Sequence, residues 1–288
     1  MGKDFFYPSS SCVLSNSEKE IILILTARTK ENFSKLFKLN LNLSSKEKKI
    51  SGPILELGEK GAFDEKGTSY PCVVNYKNSK KLFYTGWSNN SGNAYLNRLA
   101  MTSMDKKSSE KTFLNIKSKK EKITEIGSID IKYFNEIFYM FFTRFNSWKD
   151  KNPNYNFSVA RSDNLEDWIH EESFNLDQIN GTESGMICKP SIIKHGSIFY
   201  MFFCHRIITS DYKIGFASSS NFFNWKLVNK NIFADLDLQN WCKKGQSYPN
   251  ILFNKFNNTF YLFFAGNAFG EDGFGFAKFN DSFFLKND

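Results

Sequence analysis

Two carboxylates occupy matching places in this chain. Asp64 precedes Pro71 by seven positions, and Glu183 precedes Pro190 by seven. Carboxylates that converge from separate parts of a chain are what glycosyl transfer to water requires. One protonates the leaving oxygen, while the other activates water or attacks the sugar. Each acid could instead cap a turn or pair with a nearby lysine, and an isolated carboxylate usually does so. Matched phase brings the catalytic reading of this pair level with that one.

A second set of polar groups follows the aromatic segments. It lies in Thr-Gly-Trp87-Ser88, Thr-Arg144-Phe-Asn146, Cys-His205-Arg206 and Ala-Gly-Asn267. Because these loops share one phase, Trp87, Arg144, His205, Arg206 and Asn267 are expected to cluster. An aromatic plate, two guanidinium forks and an amide suit an anionic sugar or a phosphate. Salt bridges between neighbouring units are the competing reading for Arg144 and Arg206. A structural hydrogen bond is the competing reading for His205. Tyr70 and Tyr248 each directly precede a proline, with Lys189 in the same place. Their side chains point either into a central funnel or against its wall.

The positioning elements are a repeat. Phe-Tyr-Met-Phe-Phe occurs at 138–142 and at 199–203, and Phe-Tyr-Leu-Phe-Phe at 260–264. Tyr84, Tyr139, Tyr200 and Tyr261 are 55, 61 and 61 residues apart, and one further step back lands in the apolar run Ile21–Leu25. Five copies in 288 residues leave about 58 residues each, a long period built from short apolar strands. This predicts an all-β, five-bladed β-propeller with four antiparallel strands per blade, occupying 1–288 as one domain.

Each unit opens with a strand that carries Pro71, Pro190 or Pro249, which we expect at the strand's first residue, where no ladder donor is needed. A turn and the aromatic strand follow. A third strand carries Ala100, Ala160, Ala217 or Ala277, a small residue in phase with large aromatics. Trp168 and Trp225, each eight residues beyond their alanine, are expected to open the outermost strand. The run Gly266–Gly275 fits neither phosphate-loop spacing and reads as a tight turn.

Composition narrows the function classes. Aromatics make up 17% of the chain and charged residues 24%, which fits a folded globular protein. A net charge of +8 favours anionic partners. Lys46–Lys49, Lys106–Lys107 and Lys117–Lys122 fall in expected loops and read as solvated faces, without a nucleic-acid-binding motif. Five cysteines lack Cys-x-x-Cys spacing and there are only three histidines, so neither a zinc site nor any other cofactor is expected. Several of the thiols sit in apolar strands and read as small hydrophobes. The first eleven residues do not read as a signal peptide, and no run is long enough to span a bilayer. A cytoplasmic protein with reduced thiols is the expectation.

The chain resembles the five-bladed β-propeller glycoside hydrolase superfamily, the furanosidase-like clan of arabinanases, xylosidases, invertases and mannoside phosphorylases. It resembles most the glycosidase-like propellers of bacterial surface-polysaccharide clusters. The resemblance rests on Phe63-Asp64-Glu-Lys-Gly-Thr-Ser-Tyr-Pro71 with Tyr84-Thr-Gly-Trp87, and on Glu183 to Pro190 with His205-Arg206 and Tyr212-Lys-Ile-Gly-Phe-Ala217. It also rests on Tyr248-Pro249 with Gly266-Asn267 and Gly273-Phe-Gly-Phe-Ala277, and it covers roughly residues 50 to 280. It implies glycosidic chemistry, with Asp64 and Glu183 as catalytic carboxylates. Trp87, Arg144, His205, Arg206, Tyr248 and Asn267 would bind a carbohydrate or nucleotide-sugar substrate. Hydrolases of this kind commonly carry an aspartate at the start of the first blade, and Tyr7-Pro-Ser-Ser-Ser-Cys12 has none. Either Asp64 and Glu183 suffice, or Asp130 contributes, or hydrolysis has been lost or altered. A phosphorylase and a non-catalytic sugar-binding propeller are the alternatives.

Overall fold

A computed structural model describes residues 7–89, 95–105, 110–120, 122–149, 152–181, 186–207 and 209–285. The chain is all-β, 59% strand and 4% helix. The first run of strands is β1 (Tyr7–Asn16), β2 (Glu20–Arg28), β3 (Ser34–Asn42) and β4 (Lys48–Ser51). The second is β5 (Gly67–Tyr76), β6 (Ser79–Asn89), β7 (Tyr95–Ser103) and β8 (Thr112–Phe113). A single parallel pair, Ser34 with Gly67, joins these two antiparallel runs into one sheet.

The next sheet comprises β9 (Ile116–Lys117), β10 (Ile126–Phe134), β11 (Ile137–Lys149), β12 (Asn152–Ser162) and β13 (Trp168–Glu171). After α1 (Asp177–Asn180) come β14 (Ile187–His195), β15 (Ile198–His205), β16 (Lys213–Ser219) and β17 (Lys226–Asn229). The last sheet is β18 (Ser247–Asn254), β19 (Thr259–Ala265) and β20 (Phe274–Phe279), interrupted by α2 (Asn267–Gly270) and followed by α3 (Ser282–Leu285).

The aromatic runs lie on the second strands, where both faces are covered. Phe138, Met140 and Phe142 of β11 pack toward β5–β8, while Tyr139 and Phe141 pack toward β14–β17. Strand β15 divides its side chains the same way, Phe199, Met201 and Phe203 to one side and Tyr200 and Phe202 to the other. In β19, Tyr261 and Phe263 meet Ile21, Leu23 and Leu25 of β2, so the last sheet packs on the first. Successive residues of a strand point to opposite faces. A strand sandwiched between two sheets therefore reads as an unbroken apolar run, which is why the repeat was visible.

The first strands β1, β5, β10, β14 and β18 each touch the next, and β18 touches β1. Side-chain-to-backbone bonds link them across the sheets. Ile192 N donates to Asp130 Oδ2 at 2.6 Å, and Ile251 N donates to Ser191 Oγ at 2.9 Å. Asp130, whose other oxygen meets Lys132 Nζ at 3.1 Å, thus ties β10 to β14.

Three sequence expectations change. The prolines do not open their strands. Pro71, Pro190 and Pro249 sit inside β5, β14 and β18, at register shifts between Ser69 and Cys72, Cys188 and Ser191, and Ser247 and Asn250. A bulge leaves a residue unpaired, so the missing N–H costs no ladder bond. Strand number per sheet also varies, because β9 arrives from the connection ahead of β10 and pairs parallel with β13. Among the described residues the last sheet has three strands, and Phe283 and Phe284 of α3 pack on its core. Finally, part of the first lysine cluster forms the exposed strand β4, where charge blunts an open edge.

Ala100, Ala160 and Ala217 are wholly buried on the third strands, and Trp168 opens β13 as expected. Ala217 lies directly opposite Met201 in a core of Phe199, Phe203 and Trp225. Ala217→Leu should overpack that seam and lower stability by about 1–3 kcal/mol. Urea unfolding should show this as a reduced midpoint at unchanged slope.

Candidate active site

The bulges aim side chains at the ring's axis. Tyr70, Lys189 and Tyr248, the residues before the three prolines, have φ of 51°, 56° and 56°. A non-glycine residue in the left-handed region is uncommon, and such strain persists where the surroundings enforce it, often at functional sites. Here it recurs in three sheets at one place. The outcome is convergence: the Tyr70 and Tyr248 rings, from β5 and β18, meet edge-on at 5.7 Å. Lys189 is fully buried, and its charge lies within electrostatic reach of Cys12 on β1 and Cys72 on β5.

Around these tyrosines the wall is aromatic and cationic. Trp87, at the end of β6, lies 6.3 Å from Tyr70, and Tyr212 lies 6.0 Å from Tyr248. The Tyr155 and Tyr212 hydroxyls are hydrogen-bonded to each other. The Arg206 guanidinium stacks 4.8 Å from Tyr212 and 5.1 Å from Phe269. Arg28 covers the same Phe269 ring at 5.9 Å and donates to its carbonyl at 3.1 Å. The Nε atoms of both arginines are buried without an acceptor among the described residues. Burial holds Tyr70 and Tyr155 well above the usual phenol range and pushes Tyr248 up to about 12. These phenols stay neutral and keep their donor protons at neutral pH.

The turn that presents Phe269 also seals the ring. Ala268, Phe269 and Gly270 have positive φ, and a Cβ on Gly270 would stand 1.9 Å from the Pro8 carbonyl oxygen of β1. Only glycine permits that approach. The tight-turn reading of this glycine-rich run is what the structure shows.

The expected site residues separate into two groups. Trp87, Arg206 and Tyr248 belong to the axial cup through Tyr70 and Tyr212. Asn267 is consumed structurally: its Oδ1 accepts from Lys244 N and Gly245 N, and its Nδ2 donates to the Asn240 carbonyl and to Asp272. His205 donates from Nε2 to the Lys230 carbonyl at 2.5 Å, and burial lowers its pKa. Arg144 is half-buried on β11, opposite Ile126 and Asn156. Glu183 lies outside the described residues.

Asp64 is buried, 1% exposed, and both its oxygens are engaged. Oδ1 accepts from Gly58 N at 3.1 Å, while Oδ2 meets Lys111 Nζ at 2.6 Å and the Tyr84 hydroxyl at 3.4 Å. Tyr84 belongs to the second strand of its sheet and Lys111 leads into the fourth. Sequence phase gave Asp64 its distance from Pro71. It did not reveal that the 53–66 connection folds back over β6, where Lys66 N donates to the Trp87 carbonyl.

The cup members missed in the sequence had weak signals. Arg28 follows the apolar run of the first unit much as Arg206 follows its own. Phe269 was hidden among glycines, whereas Tyr155 and Tyr212 each stand five residues before their alanine, Ala160 and Ala217, a phase match that could have found them. A separate groove of about 650 Å³ runs along the outer β9–β13 edge, lined by Lys117, Lys120 and His170. Its lysines are about three-quarters exposed and already face Asp167 and Glu172, as on an ordinary solvated face.

No family model matches the chain. Two uncharacterized proteins, from two strains of Mycobacterium tuberculosis, are each 21% identical over 231 residues, covering 78% of this chain and 75% of theirs. Solved structures show the fold. A glycosyl hydrolase from Bacteroides ovatus superposes with a TM-score of 0.68 at 16% identity, covering 97% of this chain and 85% of its own. The β-1,2-mannobiose phosphorylase from Listeria innocua gives 0.67 at 12% identity, covering 98% and 92%. The GH43_1 enzyme from Xanthomonas citri, complexed with xylose, gives 0.62 at 10% identity, covering 95% and 87%. The fold is that of propeller enzymes of the glycoside hydrolase type.

Removing Lys111 would leave a buried, uncompensated carboxylate, the costly way to break an ion pair. Lys111→Met should lower stability by about 3 kcal/mol, and Lys111→Met with Asp64→Asn should recover part of it. A chemical-denaturation double-mutant cycle measures both. Equal stability of wild type and Lys111→Met would contradict this role.

Proposed function

We propose that the chain is a five-bladed propeller enzyme of glycosyl-bond chemistry, with the axial cup as its substrate site. The carrying observation is the pair of arginines, Arg28 and Arg206, whose buried Nε donors lack acceptors among the described residues, beside the Tyr70–Tyr248–Trp87 aromatic wall. Aromatic faces suit the apolar faces of sugar rings, and guanidinium forks suit carboxylate or phosphate. The substrate is therefore an anionic or nucleotide-linked sugar, of the kind handled in polysaccharide metabolism. Glu183 is the general acid that protonates the departing oxygen. Asp64, held by Lys111, orders the 53–66 connection that folds back on β6 and bonds the Trp87 carbonyl through Lys66 N.

A second reading, phosphorolysis, is favoured by the two guanidinium groups. They can hold inorganic phosphate as the nucleophile, which removes the need for a second catalytic carboxylate. The L. innocua neighbour is a phosphorylase by its description. In that case turnover requires phosphate, whereas hydrolysis does not.

The test is incubation with nucleotide sugars and acidic oligosaccharides, with and without phosphate, read by mass spectrometry. Arg206→Gln should raise KM for the anionic substrate about 10- to 150-fold, the worth of a hydrogen bond to a charged group. Glu183→Gln should abolish turnover while leaving binding intact. Binding without any product contradicts the enzyme reading, and an unchanged KM in Arg206→Gln contradicts the cup.

A further inference from the structure

The cup rests on two cysteines that the sugar chemistry above leaves unused. Cys188 of β14 and Cys204 of β15 are direct cross-strand partners, and their sulfurs lie 3.3 Å apart. The Cys204 thiol also donates toward the Cys188 carbonyl at 3.3 Å. Both are free thiols, buried in one cluster with Tyr155, Tyr212 and Tyr248. Cys188 immediately precedes the strained Lys189, so it lies at the foot of the bulge.

We propose that Cys188 and Cys204 form a peroxide-modified pair, in which a hydroperoxide oxidises Cys188 and Cys204 resolves it to a cross-strand disulfide. The first step is attack of the Cys188 thiolate on one peroxide oxygen. The O–O bond breaks, an S–O bond forms, and the departing oxygen leaves as water or an alcohol after taking up a proton. The Cys204 sulfur then attacks the sulfenic sulfur. The S–S bond forms, and hydroxide leaves with the Cys204 proton as water. Two thiols supply the two electrons that reduce the peroxide, so the sequence balances without another reductant.

The surroundings favour Cys188 as the attacking thiol. Burial opposes its ionisation, yet hydrogen bonding from Cys204, Tyr212 and Tyr155, together with the Arg206 charge, outweighs burial and brings the thiol below its ordinary range. The protein carries its own controls. Burial raises Cys12 and Cys242, and it pushes Cys72 up to about 11. The thiolate is the nucleophile, so reactivity should single out Cys188. This inference is independent of what the cup binds.

The experiment treats the whole protein with one equivalent of hydrogen peroxide, then unfolds, alkylates and digests it without reductant. Wild type should lose two alkylatable thiols and yield one Cys188–Cys204 cross-linked peptide. Cys204→Ser should stop at a Cys188 sulfenic acid trapped by a 1,3-dione, labelled on the order of tenfold faster than Cys12 or Cys72. Cys188→Ser should leave Cys204 reduced. Five alkylatable thiols after treatment of wild type, or cross-linking through any other cysteine, would overturn the proposal.

Discussion

Everything in this molecule depends on second strands that are buried on both faces. A sheet covered on one side alternates apolar and polar residues, whereas β11, β15 and β19 send alternate large side chains into two different neighbours. Each sheet thereby becomes the filling between two others, and the only arrangement that leaves no sheet uncovered is a closed one. The contact of Tyr261 and Phe263 with Ile21, Leu23 and Leu25 is where that closure happens. Small residues at Ala100, Ala160 and Ala217 let the layers approach.

Closure sets the conditions for chemistry. Five first strands brought side by side leave little room at the axis, and ordinary pleating would turn their side chains into the inter-sheet cores. The bulges at Tyr70, Lys189 and Tyr248 break that rule. Each trades ladder regularity and backbone strain for a side chain delivered inward. The ends of the second strands then surround those residues with Trp87, Arg28 and, just beyond β15, Arg206, and Phe269 bridges first and last sheets between two guanidinium groups. Structure and site are thus consequences of one packing scheme.

The legible part of the sequence was the part with strict periodicity. Apolar runs 61 residues apart specify doubly buried strands, and the alanines and tryptophans marked the third and fourth strands in correct order. Phase also brought Trp87, Arg206 and Tyr248 to one place. It failed for side chains whose direction is set by local bonding. Asn267 has the right phase, but four hydrogen bonds to the 240–245 loop and to Asp272 occupy it. His205 turns to the Lys230 carbonyl, and Asp64 turns to Lys111, a residue 47 positions away whose proximity no repeat could signal. Phe269 and Tyr155 depend on contacts between sheets, and the Cys188–Cys204 pairing depends on strand register within one sheet, neither of which the repeat spacing encodes.

The most direct test is the crystal structure of the protein soaked with an anionic glycoside at saturating concentration. The account predicts ligand density on the axis, with an anionic oxygen within hydrogen-bonding distance of the Arg206 Nε and a sugar face against Tyr70 or Tyr248. Density along the outer β9–β13 groove with the axial cup unoccupied would contradict it.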